Sequence, residues 1–342
     1  MMKRLFCLLM LLPLFTGCSH TYLERQVYPI CLSIDLTAQG QYRIGLQAPR
    51  SNSGEQSAYE ILTGTGDTPE DALRVLAAST PCPINFSQIR LCLLSYGLSS
   101  TTPLRPLLRV IFELPGMRPN AQVMVAQGSA LEVMQAQKPD FGQRLSTHLN
   151  LLFERMQREQ NLPDSSLSNC IRELGDGRSD LLLCLCAVNS SIQPDQPAFS
   201  VGEPWSDQLL PPNEIAGLLT RSGPNPVEYV GSAAVSDGRV SGMLTAAETQ
   251  LAVRTLDECT RRAAISGERL ELQVFLPQGS TLEPSDVEAL IEKLQALHSD
   301  ALRFGCKASI SFSTDAAWQA FRFRERYPEA HVQTRYKEKN RP

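Results

Sequence analysis

The stretch from Val227 to Leu256 restricts the fold more tightly than any other part of this 342-residue chain. Val227 to Val235 reads as a strand, Ser236-Asp237-Gly238 carries tight-turn chemistry, and Arg239 to Leu244 resumes the strand pattern. Thr245-Ala246-Ala247-Glu248 then has capping-box spacing and opens a helix through Leu251, Val253 and Leu256. A hairpin that runs straight into a capped helix belongs to a chain mixing strands and helices.

The rest of the chain repeats that mixture. Cys31 to Gln47 contains two strand-like runs around Thr37-Ala38-Gln39-Gly40-Gln41, and Tyr59 to Leu62 starts another. Thr68-Pro69-Glu70-Asp71 is a helix start with Pro in the first turn. Ile89 to Ser95, Ala121 to Ala126 and Leu181 to Val188 read as strands, the first as a buried central one. Helices are expected over Leu104–Leu114, over Ala130–Ala136 behind a Ser129–Glu132 capping box, and over Phe141–Arg158. Beyond Leu244 come a strand over Leu270–Leu276 and a long helix capped by Ser285–Glu288. A strand at Ala308–Phe312, a short helix at Trp318–Tyr327 and a polar strand at His331–Tyr336 complete the pattern. The fold class is α+β (mixed α/β) and multidomain, with mixed sheets packed with helices and no Rossmann or TIM pattern. With 42% apolar residues the chain is too apolar for disorder, and its Gly and Pro lack the period of a fibre.

The first residues are an address rather than a fold. Lys3 and Arg4 precede an apolar core from Leu5 to Phe15, too short to cross a bilayer as a helix. Phe15-Thr16-Gly17-Cys18 resembles the lipobox of bacterial lipoproteins, which makes Cys18 the lipid-attachment residue. The expected division is a signal peptide at 1–17, a lipid-anchored tether at 18–23, an N-terminal mixed α/β domain at 24–190, a linker or small middle region at 191–226, and a C-terminal α+β domain at 227–342. Without residues 1–17 the chain has thirty basic and thirty-six acidic residues, a poor balance for general nucleic-acid binding.

No catalytic constellation appears. The four histidines, His20, His148, His298 and His331, show no metal-ligand spacing, and there is no HExxH. Cys184-x-Cys186 places two thiols on one strand face, the pattern of core filling. Gly64-x-Gly66 lacks the remaining residues of a phosphate loop. Glu132, Glu248 and Glu288 sit at capping-box positions, which local backbone satisfaction explains. Neither metal nor cofactor is expected. Export permits disulfides, with Cys82–Cys92 or Cys170–Cys184 as candidate pairs. The chain is nonetheless too long to need staples, and several cysteines lie inside apolar runs, as in Leu91-Cys92-Leu93-Leu94. Free thiols there act as small hydrophobes, and that is the favoured reading. Arg322 to Arg341 is a basic tail with interspersed acids, the pattern of an exposed element.

Several segments together resemble the Ger(x)C family, the lipoprotein C subunits of bacterial spore germinant receptors. They are Gly17-Cys18, CLSIDLTAQGQYRIGLQ (31–47), GDTPEDAL (66–73), Ile89 to Tyr96, NAQVMVAQGSALEVM (120–134), Trp318 and RERYPEAHVQTRY (324–336). The most specific is YVGSAAVSDGRVSGMLTAAET (229–249), whose family-motif residues are Gly231, Asp237, Gly238, Gly242 and Glu248. The resemblance implies a non-enzymatic subunit, anchored through acylated Cys18 on the outer face of the spore inner membrane. Its partners would be two polytopic membrane subunits of the receptor and the lipid bilayer, with no nucleic acid. The competing readings are a solute-binding lipoprotein and a cell-surface hydrolase. The first would need a cleft between two similar lobes and the second a pair of facing carboxylates.

Overall fold

The computed structural model describes residues 25–49, 59–139, 144–176, 180–189, 215–219, 225–266, 269–305 and 331–337. The signal, Cys18, His20, Cys306, Trp318 and most of the basic tail lie outside these residues, as do the expected strand at 308–312 and helix at 318–327.

An eight-stranded mixed sheet dominates. Its strands are β1 (Cys31–Leu36), β2 (Tyr42–Pro49), β3 (Tyr59–Gly66), β4 (Leu91–Ser95), β5 (Gln122–Ala126), β6 (Leu182–Val188), β7 (Val227–Ser236) and β8 (Arg239–Leu244), in the order 3-2-1-4-5-6-7-8. β1, β4, β5 and β6 run parallel, and antiparallel strands flank them on both sides. Parallel strands are buried on both faces, which is why these four read as nearly continuous apolar runs. Along them the side chains alternate: Leu32, Ile34, Cys92, Leu94, Val123, Val125, Leu183 and Leu185 enter one core, and Cys31, Leu91, Leu93, Met124, Cys184 and Cys186 the other.

Helices cover both faces. Against the first pack α1 (Pro69–Ala78), α2 (Tyr96–Thr101), α3 (Leu104–Phe112) and α6 (Leu167–Asp176). Against the second pack α4 (Ala130–Ala136) and α5 (Leu145–Arg158), the latter through Leu145, Leu149, Phe153 and Met156. The Thr68 hydroxyl accepts the Asp71 N–H at 3.1 Å and Pro69 opens α1, as expected. Gly64 and Gly66 sit in β3 directly under α1, where a Cβ on Gly64 would run into the Ala72 carbonyl. These glycines admit a helix rather than a phosphate.

A smaller sheet holds β9 (Thr260–Ser266), β10 (Arg269–Pro277) and β11 (His331–Lys337), in the order 11-10-9. With α7 (Ala246–Glu258) and α8 (Pro284–Ala296) it builds a third core around Leu272, Val274, Leu276, Val287, Leu290, Ile291 and Leu294. Leu182, Ala234 and Leu244 of the main sheet belong to that core too.

Sequence and structure part at several places. The stretch expected as a linker joins neighbouring strands, because β6 and β7 pair antiparallel from Leu182↔Ala234 to Val188↔Val227. The main sheet therefore crosses the expected 190/227 boundary. The Ser285–Glu288 capping box does not form: Pro284 takes the first helical position, Glu283 precedes it without a side-chain cap, and Ser285 falls inside the first turn. Neither candidate disulfide is present. Cys31, Cys82, Cys92, Cys170, Cys184, Cys186 and Cys259 are free thiols, all but Cys82 buried.

Burial pushes the Cys92 thiol up to about 12, and Cys31, Cys170, Cys184 and Cys186 also rise well above the ordinary range. An unfolded thiol ionises near about 8.5. Raised folded values mean that this contribution to stability is intact below about pH 8.5 and is lost as pH climbs beyond it. At about pH 8, alkylation of the native protein should reach Cys82 and spare these five thiols until denaturant is added. Mass mapping that finds Cys184 or Cys186 modified in the native state would refute their burial.

Candidate functional site

The family-like residues converge on the β7–β8 hairpin and α7. Asp237 and Gly238 form its turn with φ of +48° and +76°, the two positive values that a type I′ turn requires. The turn is docked: the Leu104 N–H donates to the Gly238 carbonyl at 2.7 Å, and Arg239 Nε to the Thr101 carbonyl at 3.1 Å. Gly231 lies at a register break where Val230 and Gly231 together oppose Leu185, a β-bulge. Its φ is +79°, and a Cβ there would stand 2.5 Å from the Leu244 carbonyl oxygen of β8. Gly242, on β8, leaves room for the Leu297 side chain at the end of α8.

Glu248 completes its capping box. Thr245 N–H donates to Glu248 Oε2 at 2.8 Å, and Glu248 N–H to the Thr245 hydroxyl at 3.3 Å. The same carboxylate pairs with Lys293 Nζ of α8 at 2.5 and 2.7 Å, tying α7 to α8. Glu132, the expected partner of Ser129, forms only half a box, its N–H donating to the Ser129 hydroxyl at 3.4 Å.

The other half of that cap comes from a residue that no local motif singles out. Asp35, 3% exposed on β1, accepts the Ala130 N–H at 2.8 Å and the Leu131 N–H at 3.0 Å. A carboxylate at a helix N-terminus satisfies orphan donors and meets the positive end of the helix dipole. Asp180, 1% exposed, accepts from Asp237 N–H at 3.2 Å and Asp300 N–H at 2.9 Å. Asp300 in turn accepts from Phe304 and Gly305, and the Ser299 hydroxyl donates to the Val235 carbonyl. The hairpin turn is thereby braced against the third core. Glu228, also 3% exposed, accepts from Asn189 Nδ2 at 2.8 Å and Gly217 N–H at 2.7 Å, holding the 215–219 segment to the sheet. One signal could have found two of these: Asp35 and Glu228 are single acids inside otherwise apolar strands, where an unpaired charge would be costly.

A cleft of about 290 Å³ opens beyond the carboxyl ends of β5 and β6, between Gln127–Ser129 and Ala216–Leu218. Glu132 is the one ionisable side chain on its described lining, so no pair of facing carboxylates stands there. Among the described residues no group of His, Cys, Asp and Glu is placed to hold a metal ion. None of their helices is long and apolar enough to cross a membrane. Each motif residue of the hairpin–helix unit shapes backbone or joins two elements.

Residues 19–188 match the family model described as the spore germination protein N-terminal domain. No curated protein matches the chain. Among solved structures it is similar to the crystal structure of the GerBC protein, at 13% identity and a TM-score of 0.44, over 89% of this chain and 95% of that one.

Proposed function

The chain belongs to the Ger(x)C family of spore germination proteins, and from that premise we propose that it is a non-catalytic, lipid-anchored subunit of a germinant receptor complex. The observation that carries this reading is the extent of the domain match, which begins at residue 19, directly after Cys18 of the lipobox-like Phe15-Thr16-Gly17-Cys18. Diacylglycerol on the Cys18 thiol would tether the domain to the extracytoplasmic side of the membrane, and further acylation would make the attachment firm. The tether raises the local concentration of membrane-embedded partners, two polytopic subunits in this reading. The motif unit suits that work, because Gly231, Asp237, Gly238, Gly242 and Glu248 hold the hairpin, α7 and α8 in one rigid arrangement.

The test is affinity purification of the tagged chain from detergent-solubilised membranes of sporulating cells. Two polytopic proteins should co-elute near one to one, and the chain should carry acyl mass at Cys18. Cys18→Ala should move nearly all of the protein to the soluble fraction. A Cys18→Ala form that stayed in membranes with acyl groups attached would overturn the anchor. Elution alone, with no partner trapped by crosslinking, would overturn the receptor role and favour a solitary solute-binding lipoprotein.

A further inference from the structure

We propose that the surface at the amino ends of β1, β4 and β5 lies on the bilayer and binds anionic lipid headgroups through Arg90 and Arg118. Arg90 is fixed there by its backbone: its N–H donates to the Ile30 carbonyl at 2.8 Å, and its own carbonyl accepts the Gln122 N–H at 2.9 Å. Arg118, in the loop before β5, donates from Nε to the Ser87 carbonyl. Arg90 Nη2 donates to Gln88 Oε1 at 3.4 Å, one residue from the Ser87 carbonyl that Arg118 holds, so the two guanidinium groups are neighbours. Burial first, and the Arg118 charge second, lower the Arg90 pKa.

Neither arginine has an ion-pair partner among the described residues. Arg74, Arg109, Arg172, Arg254 and Lys293 all do. Arg90 Nε is buried with no hydrogen-bond acceptor. Two guanidinium groups side by side repel, and an anion between them would relieve both. Their planar forks suit phosphate oxygens better than a point cation would.

Position makes that phosphate a lipid's. The described chain enters the fold at this end: Val27 N–H donates to the Pro83 carbonyl, Asn85 N–H to the Val27 carbonyl, and Asn85 Nδ2 to Gln26 Oε1 at 2.7 Å. The seven residue steps from Cys18 to Arg25 span at most about 25 Å fully extended. An acyl anchor at Cys18 would therefore keep this end near the headgroup layer. Phe112, on the last turn of α3 beside the same loop, is 43% exposed and offers a ring to the membrane interface. The inference takes its orientation from the anchor reading, but its chemistry stands on the two arginines.

The test uses the unacylated chain of residues 19–342, which holds every described residue, with phosphatidylcholine vesicles and with vesicles containing about 30% phosphatidylglycerol. Binding should appear with the anionic vesicles only and weaken as salt rises. Arg90→Gln or Arg118→Gln should each weaken it about 5-fold, and the double substitution about 30-fold, with unchanged melting. Arg74→Gln, whose charge Asp71 answers, should leave it unchanged. Equal affinity for both vesicle types, or indifference to the double substitution, would overturn the proposal. So would binding to neither, with the 112–118 loop crosslinking instead to an acidic segment of another membrane protein. Because this chain carries no acyl group, failure of the Cys18 anchor would leave the vesicle result standing, and the two readings fail separately.

Discussion

Valine in place of Gly231 should lower the free energy of unfolding by about 3–5 kcal/mol, the largest loss expected from any single substitution in the hairpin–helix unit. Two independent costs combine. The φ of +79° is one that a β-branched side chain scarcely tolerates. The added Cβ would also stand 2.5 Å from the Leu244 carbonyl oxygen, a backbone atom fixed by the β7–β8 ladder. Relief requires β8 to move, and β8 carries Leu244 into the third core. Gly238 provides the contrast. Its φ is +76°, but nothing lies within 4 Å of where a Cβ would stand, so Gly238→Ala should cost only about 1–2 kcal/mol. Denaturant midpoints of the two variants give the comparison, and equal losses would show that the close approach at Gly231 is not what matters.

Asp35→Ala is expected to cost about 2–4 kcal/mol, because it leaves two buried N–H groups of α4 without acceptors. Asp35→Asn should recover only part of this. An amide has one acceptor oxygen, and its NH2 group would face a second donor. Hydrogen exchange provides a local reading, with protection of the Ala130 and Leu131 amides expected to fall in both variants while the interior of α5 stays protected. Full retention of that protection in Asp35→Ala would mean that Ser129 alone suffices as the cap.

These two residues also mark how far the sequence can be read. Strands and helices made by local chemistry are legible: the Thr68 and Thr245 caps, the Asp237-Gly238 turn and the apolar parallel strands all form where spacing places them. α2, α6 and β9 carry no such signal. α2 begins within a residue of the end of β4, so no break in the apolar pattern separates the two, and α6 comes after a polar loop rather than a clear cap. Asp35 acts on a helix ninety-five residues away, and Asp180 on a turn fifty-seven residues away. Spacing rules reach three or four residues, so such partnerships become visible only once the sheet has assembled. The Ser285–Glu288 cap fails for the opposite reason, a local competitor: Pro284, with its fixed φ, claims the first helical position. At the candidate site the motif residues are legible as a group. Of their separate tasks, the turn and the cap are legible too, whereas the bulge at Gly231, the clearance for Leu297 and the Glu248–Lys293 ion pair are not.

The pairing of β6 with β7 bears on solubility and inheritance. β6 reads Leu-Leu-Cys-Leu-Cys-Ala-Val and is buried along nearly its whole length. Stripped of its neighbour, it would be a bare greasy edge with unpaired backbone groups, a template for sticking to any other chain. The matched domain ends at residue 188, on this strand. The chain beyond that residue is therefore no detachable appendage but the shield that keeps the first part from aggregating. A gene cut at that border would yield a sticky fragment, so the two parts are bound to travel together.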